Sequence, residues 1–132
     1  MSSILLIEDH MVFAKALIRF LTAKAGLDVI ETIQSGEDAL KKLPYLNVDL
    51  VLVDVSLPNM NGIDLVRKIH ARYPALRCLM LSGHLSPQYL KRALDAGARG
   101  YILKDDVNGI MEGVQEVLNG EIYVSQALRE NS

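Results

Sequence analysis

The chain has 132 residues, half of them hydrophobic and 23% charged, and 14 Lys and Arg against 16 Asp and Glu give a formal net charge of −2. That length predicts a single domain, and the composition excludes a disordered or fibrous chain. The slightly acidic balance lacks the positive field that nucleic-acid binding draws on, so this stretch is not expected to bind DNA or RNA directly. Cys78 is the single cysteine, which excludes an internal disulfide; no apolar run approaches the roughly 18 residues of a membrane span, and together these features predict a cytoplasmic protein without membrane contact.

In chain order, short runs of Ile, Val and Leu alternate with segments of helical periodicity. Ile4 to Ile7 reads as a first strand, followed by a helix from His10 to Ala25 whose Phe13, Leu17, Phe20 and Leu21 share a face and which Gly26 stops. Val29 to Ile33 is more polar and suits an edge strand; Ser35 then caps a short helix through Ala39, Leu40 and Leu43, ended by Pro44. Asp49 to Val53 is the third strand, and a helix beginning near Gly62 turns Ile63, Val66 and Ile69 inward before Pro74. Cys78 to Leu81 is the fourth strand; Ser86-Pro87 opens a helix with Leu90, Ala93 and Leu94 that closes at Gly97. Tyr101 to Leu103 is the fifth, before the clearest helical pattern of all: Val107, Ile110, Met111, Val114, Val117 and Leu118, ended by Gly120. Residues 1–120 form the expected domain, and 121–132 read as a tail or the start of a linker.

Three of the strand runs are apolar at nearly every position, as strands buried on both faces of a parallel sheet must be. The alternation predicts an α/β fold: a doubly wound (βα)5 three-layer sandwich with right-handed crossovers around a five-stranded parallel sheet of order 2-1-3-4-5. In such sheets ligands bind beyond the carboxyl ends of the strands, where the strand order reverses.

The first strand runs into Glu8-Asp9 and the third into Asp54. With that order these strands are neighbours about 4.8 Å apart, so the carboxylates border one crevice. Clustered like charges raise one another's pKa unless a cation sits among them, and an all-oxygen set suits a hard divalent ion, Mg2+ first. Any one of these acids alone would read equally as a helix cap or a solvated charge. Strand four ends in Ser82 and strand five in Lys104, adding a hydroxyl and an ammonium group to the same rim. Singly, Lys104 reads as an ion-pair partner and Ser82 as a loop hydrogen bonder. Together they suit a transferred phosphoryl group, with Asp54 as the nucleophile and Lys104 and Ser82 on the phosphoryl oxygens.

Four segments, Glu8-Asp9, Asp54-Val55-Ser56-Leu57-Pro58-Asn59-Met60-Asn61-Gly62, Ser82-Gly83 and Gly100-Tyr101-Ile102-Leu103-Lys104-Asp105, resemble in order the motifs of a response-regulator receiver domain over about residues 3 to 120. Glu8-Asp9-His10, the wording around Asp54 and the closing Gly120-Glu121-Ile122-Tyr123-Val124-Ser125 are most similar to receivers of the NarL/FixJ type. The resemblance implies a flavodoxin-like, CheY-like fold and a two-component signalling function. Asp54 would accept a phosphoryl group from a sensor histidine kinase, while Glu8, Asp9, Asp54 and the backbone carbonyl of Ser56 hold Mg2+. Lys104 would bind the phosphoryl group, and Ser82 and Tyr101 would form the switch pair. The switched surface would control a homodimer or a LuxR-type helix-turn-helix output domain beyond this chain, regulating transcription.

The same residues admit other readings. A Mg2+-dependent phosphohydrolase would need a second acid two residues after the nucleophile, where Ser56 stands. A degenerate receiver would serve only as a dimerisation module, and a flavin-binding domain of similar topology would want donors where the first loop is acidic. Tyr101 alone would pass for a half-buried strand aromatic. His84 is either an exposed loop residue or, with Ser56, a flank of the path of attacking water.

Overall fold

The elements run β1 (Ser3–Ile7), α1 (Met11–Ala25), β2 (Asp28–Ile33), α2 (Gly36–Lys42), a 3-10 turn (Leu43–Tyr45), β3 (Leu50–Asp54), α3 (Gly62–Arg72), β4 (Arg77–Ser82), α4 (Pro87–Asp95), β5 (Gly100–Leu103), α5 (Val107–Leu118), β6 (Tyr123–Val124) and α6 (Gln126–Glu130). The structure is a computed structural model and describes residues 2–130. Every strand pair is parallel, and the sheet order is β2-β1-β3-β4-β5-β6. The predicted order of the first five strands is therefore present, with a short sixth strand added at the β5 edge.

Side chains alternate across a strand, and here the alternation divides the core into two layers. Ile4 and Leu6 of β1, Leu50 and Leu52 of β3, and Leu79 and Leu81 of β4 pack with Leu17 and Leu21 of α1 and Ile110, Val114 and Val117 of α5. Leu5, Ile7, Val51, Val53, Cys78 and Met80 pack on the other face with Ala39 of α2, Ile63, Val66 and Ile69 of α3, and Ala93 of α4. Each fully buried Leu or Ile contributes about 1.5–3 kcal/mol, so covering both faces stabilises strands that would otherwise aggregate. Cys78 is buried and free, and burial pushes its thiol up to about 12.

The helix boundaries follow local chemistry. Gly26, at φ 63°, ends α1 in the left-handed region that a residue without a Cβ adopts readily. Ser35 and Ser86 cap α2 and α4 by accepting from Asp38 N and Tyr89 N, both at 3.2 Å. Leu43, expected in α2, instead opens the 3-10 turn, because Pro44 next to it cannot extend the ladder of i to i−4 bonds. Asn61 caps α3, its Oδ1 accepting from Ile63 N at 2.8 Å and Asp64 N at 3.0 Å. Gly62 N donates to Val55 O at 2.7 Å, and a Cβ at Gly62 would collide with the carbonyl of Asp54, so only glycine allows the chain to turn this tightly beneath the acid.

Candidate functional site

Parallel pairing continues one step past the strand ends and fixes the rim. Glu8 N donates to Ile33 O at 2.9 Å, Val55 N to Leu81 O at 2.9 Å and Lys104 N to Ser82 O at 2.8 Å. The backbones carrying the acids, the hydroxyl and the lysine are thereby tied to their neighbours at one end of the sheet.

Glu8 is fully buried, Asp54 nearly so, and Asp9 is exposed. One carboxylate oxygen from each of the three can be chosen so that all lie within 4.8 Å of one another. Lys104 reaches over the ends of β4 and β3: its Nζ is 2.8 Å from Glu8 Oε1 and 3.0 Å from Asp54 Oδ2. The second oxygen of Asp54, Oδ1, accepts from Ser56 N at 3.1 Å, and Glu8 Oε2 accepts from His10 N at 3.1 Å.

Charge in this crevice is incompletely balanced. Burial, reinforced by the neighbouring Asp54, pushes Glu8 from 4.5 up to about 7, against the opposing pull of Lys104. Burial alone would lower the Lys104 ammonium pKa, but the two carboxylates more than offset this and leave it raised. The Lys104–Glu8 contact is an ion pair out of line for a hydrogen bond, so buried Glu8 Oε1 lacks an aligned donor among the described residues. A buried oxygen with a free lone pair beside two further carboxylates is a donor set that fits a hard divalent cation.

The hydroxyl side of the rim is equally specific. Tyr101 is fully buried, and its hydroxyl lies 2.8 Å from Ser82 Oγ and 3.0 Å from His84 O, donating its single proton between them. His84 N donates to Ser82 Oγ at 2.9 Å. Ser82 thus accepts twice, and its own proton has only a 3.5 Å approach to His84 O to satisfy it. His84 is exposed; its Nε2 stands 3.4 Å from Ser56 Oγ, and its ring meets Tyr89 edge-on at 5.4 Å.

Every residue singled out for chemistry in the sequence is therefore at this end of the sheet, Ser56 through its amide and hydroxyl. The residue that sequence reasoning missed is Phe13, read only as part of the apolar face of α1. Its ring lies beneath Lys104, whose Nζ is 4.9 Å from the centroid, a cation–π contact. Its signal was position alone: it lies four residues after Asp9, in the first turn of α1 beside the acidic rim.

Fold and site together define a doubly wound domain with a lysine-bridged acidic pocket at its strand ends. The chain belongs to the response regulator receiver domain family, whose family model matches residues 4–115, and it is a receiver domain of two-component signalling. It is 32% identical over 129 residues to the transcriptional regulatory protein DegU of Brevibacillus brevis, covering 97% of this chain and 55% of that protein. It is 38% identical over 105 residues to the DNA-binding transcriptional activator DevR/DosR of Mycobacterium tuberculosis, covering 80% of this chain and 48% of that one. The chain thus spans about half the length of these relatives. Its fold matches the crystal structure of a LuxR-family two-component response regulator from Aurantimonas sp. SI85-9A1 with a TM-score of 0.90 at 24% identity, covering 98% of this chain and 96% of that one. Among the described residues no helix is long and apolar enough to cross a membrane.

Proposed function

We propose that Asp54 accepts a phosphoryl group from a sensor histidine kinase in a Mg2+-dependent step. The resulting aspartyl phosphate then biases a surface read by a homodimer partner or by a DNA-binding output domain of the full-length regulator, in the cytoplasm. The observation that carries this reading is the clamping of the Asp54 carboxylate between Lys104 Nζ at 3.0 Å and Ser56 N at 3.1 Å, beside Glu8 and Asp9. Both contacts leave lone pairs on the Asp54 oxygens and hold the carboxylate in one orientation. An Asp54 oxygen attacks phosphorus as the P–N bond to the donor imidazole breaks, its electron pair staying on the ring nitrogen. Lys104 neutralises charge on one phosphoryl oxygen, and Ser82, already accepting from Tyr101 and His84, turns its free proton to another. Bound by Glu8, Asp9, Asp54 and the Ser56 carbonyl, Mg2+ would offset the negative charge that the incoming phosphoryl group meets.

The switch follows from the same contacts. Drawing Ser82 toward the phosphoryl group removes an acceptor from the Tyr101 hydroxyl and leaves His84 O as its partner, so the loop after β4 is repositioned by a buried side chain. Intact mass after incubation with acetyl phosphate and Mg2+ tests the reading. We expect the gain of one base-labile phosphoryl group that is absent from Asp54→Asn and without Mg2+. Donor consumed with no adduct would instead indicate a hydrolase; no adduct and no beryllofluoride binding would indicate a phosphate-independent dimerisation module.

A further inference from the structure

Residues after Gly120 return to the sheet as β6, where Tyr123 N donates to Arg99 O at 3.1 Å, and Ser125 follows directly. Ser125 is 1% exposed, and its amide and hydroxyl make three hydrogen bonds to the β5–α5 region. Its amide donates to Tyr101 O at 3.0 Å, its Oγ accepts from Leu103 N at 3.0 Å, and its hydroxyl donates to Asp106 Oδ2 at 2.8 Å. The other Asp106 oxygen accepts from Gly109 N at 3.0 Å, capping α5, while Asp106 N donates to Leu103 O at 3.0 Å and closes a turn around Lys104. One serine therefore grips the residue before Lys104 and the acid two positions after it, as well as the backbone of Tyr101.

The segment that brings Ser125 there is seated in the fold. A Cβ at Gly100 would collide with the Tyr123 carbonyl, and one at Gly113 would stand 2.9 Å from Tyr123 Cδ1, so both glycines leave space for β6. Leu128 of α6 is 1% exposed and belongs to the same core layer as Tyr101. Arg129 Nε donates to Val124 O at 2.7 Å, with the guanidinium 5.2 Å over the Tyr123 ring. A depression of about 670 Å3 bordered by Ser82, Lys104, Asp106 and Ala127 joins α6 to the reaction rim.

We propose that Ser125 is a positioning residue that couples the seating of residues 123–129 to the occupancy of Asp54, an inference that rests on Asp54 as the phosphoryl acceptor. With the Leu103–Asp106 turn held by Ser125, the Lys104 backbone is fixed and its long side chain needs fewer rotamers to reach the site. In return, a phosphoryl group that grips Lys104 more strongly than the carboxylates do stiffens this turn and slows release of β6 and α6. Coupling between two sites is reciprocal: whatever strengthens the latch on phosphorylation must weaken phosphoryl binding when the latch is cut.

The test uses beryllofluoride with Mg2+ on the whole chain, reading amide hydrogen exchange over residues 123–129 and the beryllofluoride affinity. Saturation is expected to slow exchange there severalfold in the wild type. Ser125→Ala should bring the bound-to-free exchange ratio close to one and weaken beryllofluoride binding on the order of fivefold or more. Asp106→Ala removes the acceptor of the Ser125 hydroxyl at the cost of the α5 cap, so it cuts the same latch if Ser125→Ala does not fold. A merely structural serine would speed exchange equally in both states and leave the ratio unchanged. Wild-type binding without protection, or an unchanged ratio and affinity in a folded variant, overturns the coupling alone. Equal failure of wild type and Asp54→Asn to bind beryllofluoride removes the reading of Asp54 and this inference with it.

Discussion

Lys104 Nζ lies 2.8 Å from Glu8 Oε1, pairing a partly exposed cation with a carboxylate that has no exposure at all. The pair does not return Glu8 to an ordinary acid, because the loss of hydration, reinforced by the nearby Asp54, outweighs one misaligned ammonium, and Glu8 is pushed up to about 7. Its pKa is raised on folding, so between 4.5 and about 7 the folded chain holds a proton that the unfolded chain has released. Stability then falls as pH rises through that window. We expect the metal-free melting temperature to drop from pH 5 to pH 8 more steeply than in Glu8→Gln, and Mg2+ to restore most of the difference at pH 8. Parallel pH profiles of the two proteins would contradict this.

Asp54→Asn changes the balance in the opposite direction. Glu8, Asp54 and Lys104 together carry a net −1 when all are ionised, and the amide brings that to zero while preserving shape. The variant should take up no phosphoryl group, and its metal-free melting temperature at pH 8 should be no lower than that of the wild type. A large loss of stability would mean that the Asp54–Lys104 pair holds the fold rather than the chemistry.

The Tyr101 hydroxyl is the donor between Ser82 Oγ and His84 O. Tyr101→Phe keeps the buried ring and strips both acceptors of that proton, at a cost of about 1–2 kcal/mol. Urea unfolding should show the shift in midpoint at an unchanged slope, and the Asp54 adduct should still form. An unaltered midpoint would show that water replaces the hydroxyl.

Phe13 holds Lys104 by its ring face at 4.9 Å. Phe13→Leu retains apolar cover but removes the quadrupole, about 0.5–1 kcal/mol, which corresponds to roughly two- to fivefold slower labelling by acetyl phosphate. Phe20→Leu, on the same helix face, serves as the control and should label at the wild-type rate. Equal slowing in both would assign the effect to helix packing.

The sequence by itself determined the parallel sheet and the place of the site. Strands such as Leu50–Asp54 are apolar on both faces up to their last residue, which only a sheet covered on both sides can satisfy, and Glu8, Asp9, Asp54, Ser82 and Lys104 each end a strand or come just after one. Such signals are local, and strand order carries them to one rim.

Tertiary structure alone decided the rest. The protonation balance of Glu8, the shared proton of Tyr101 and the ring beneath Lys104 depend on distances between residues far apart in sequence, which no window of residues contains. The sixth strand shows the same limit: Tyr123 and Val124 are too few to make a period, and Leu128 has only Ala127 beside it as an apolar neighbour. What makes them part of the domain is the open edge of β5 and the space left by Gly100 and Gly113, because a two-residue strand has no stability of its own and exists only where a partner edge supplies its hydrogen bonds.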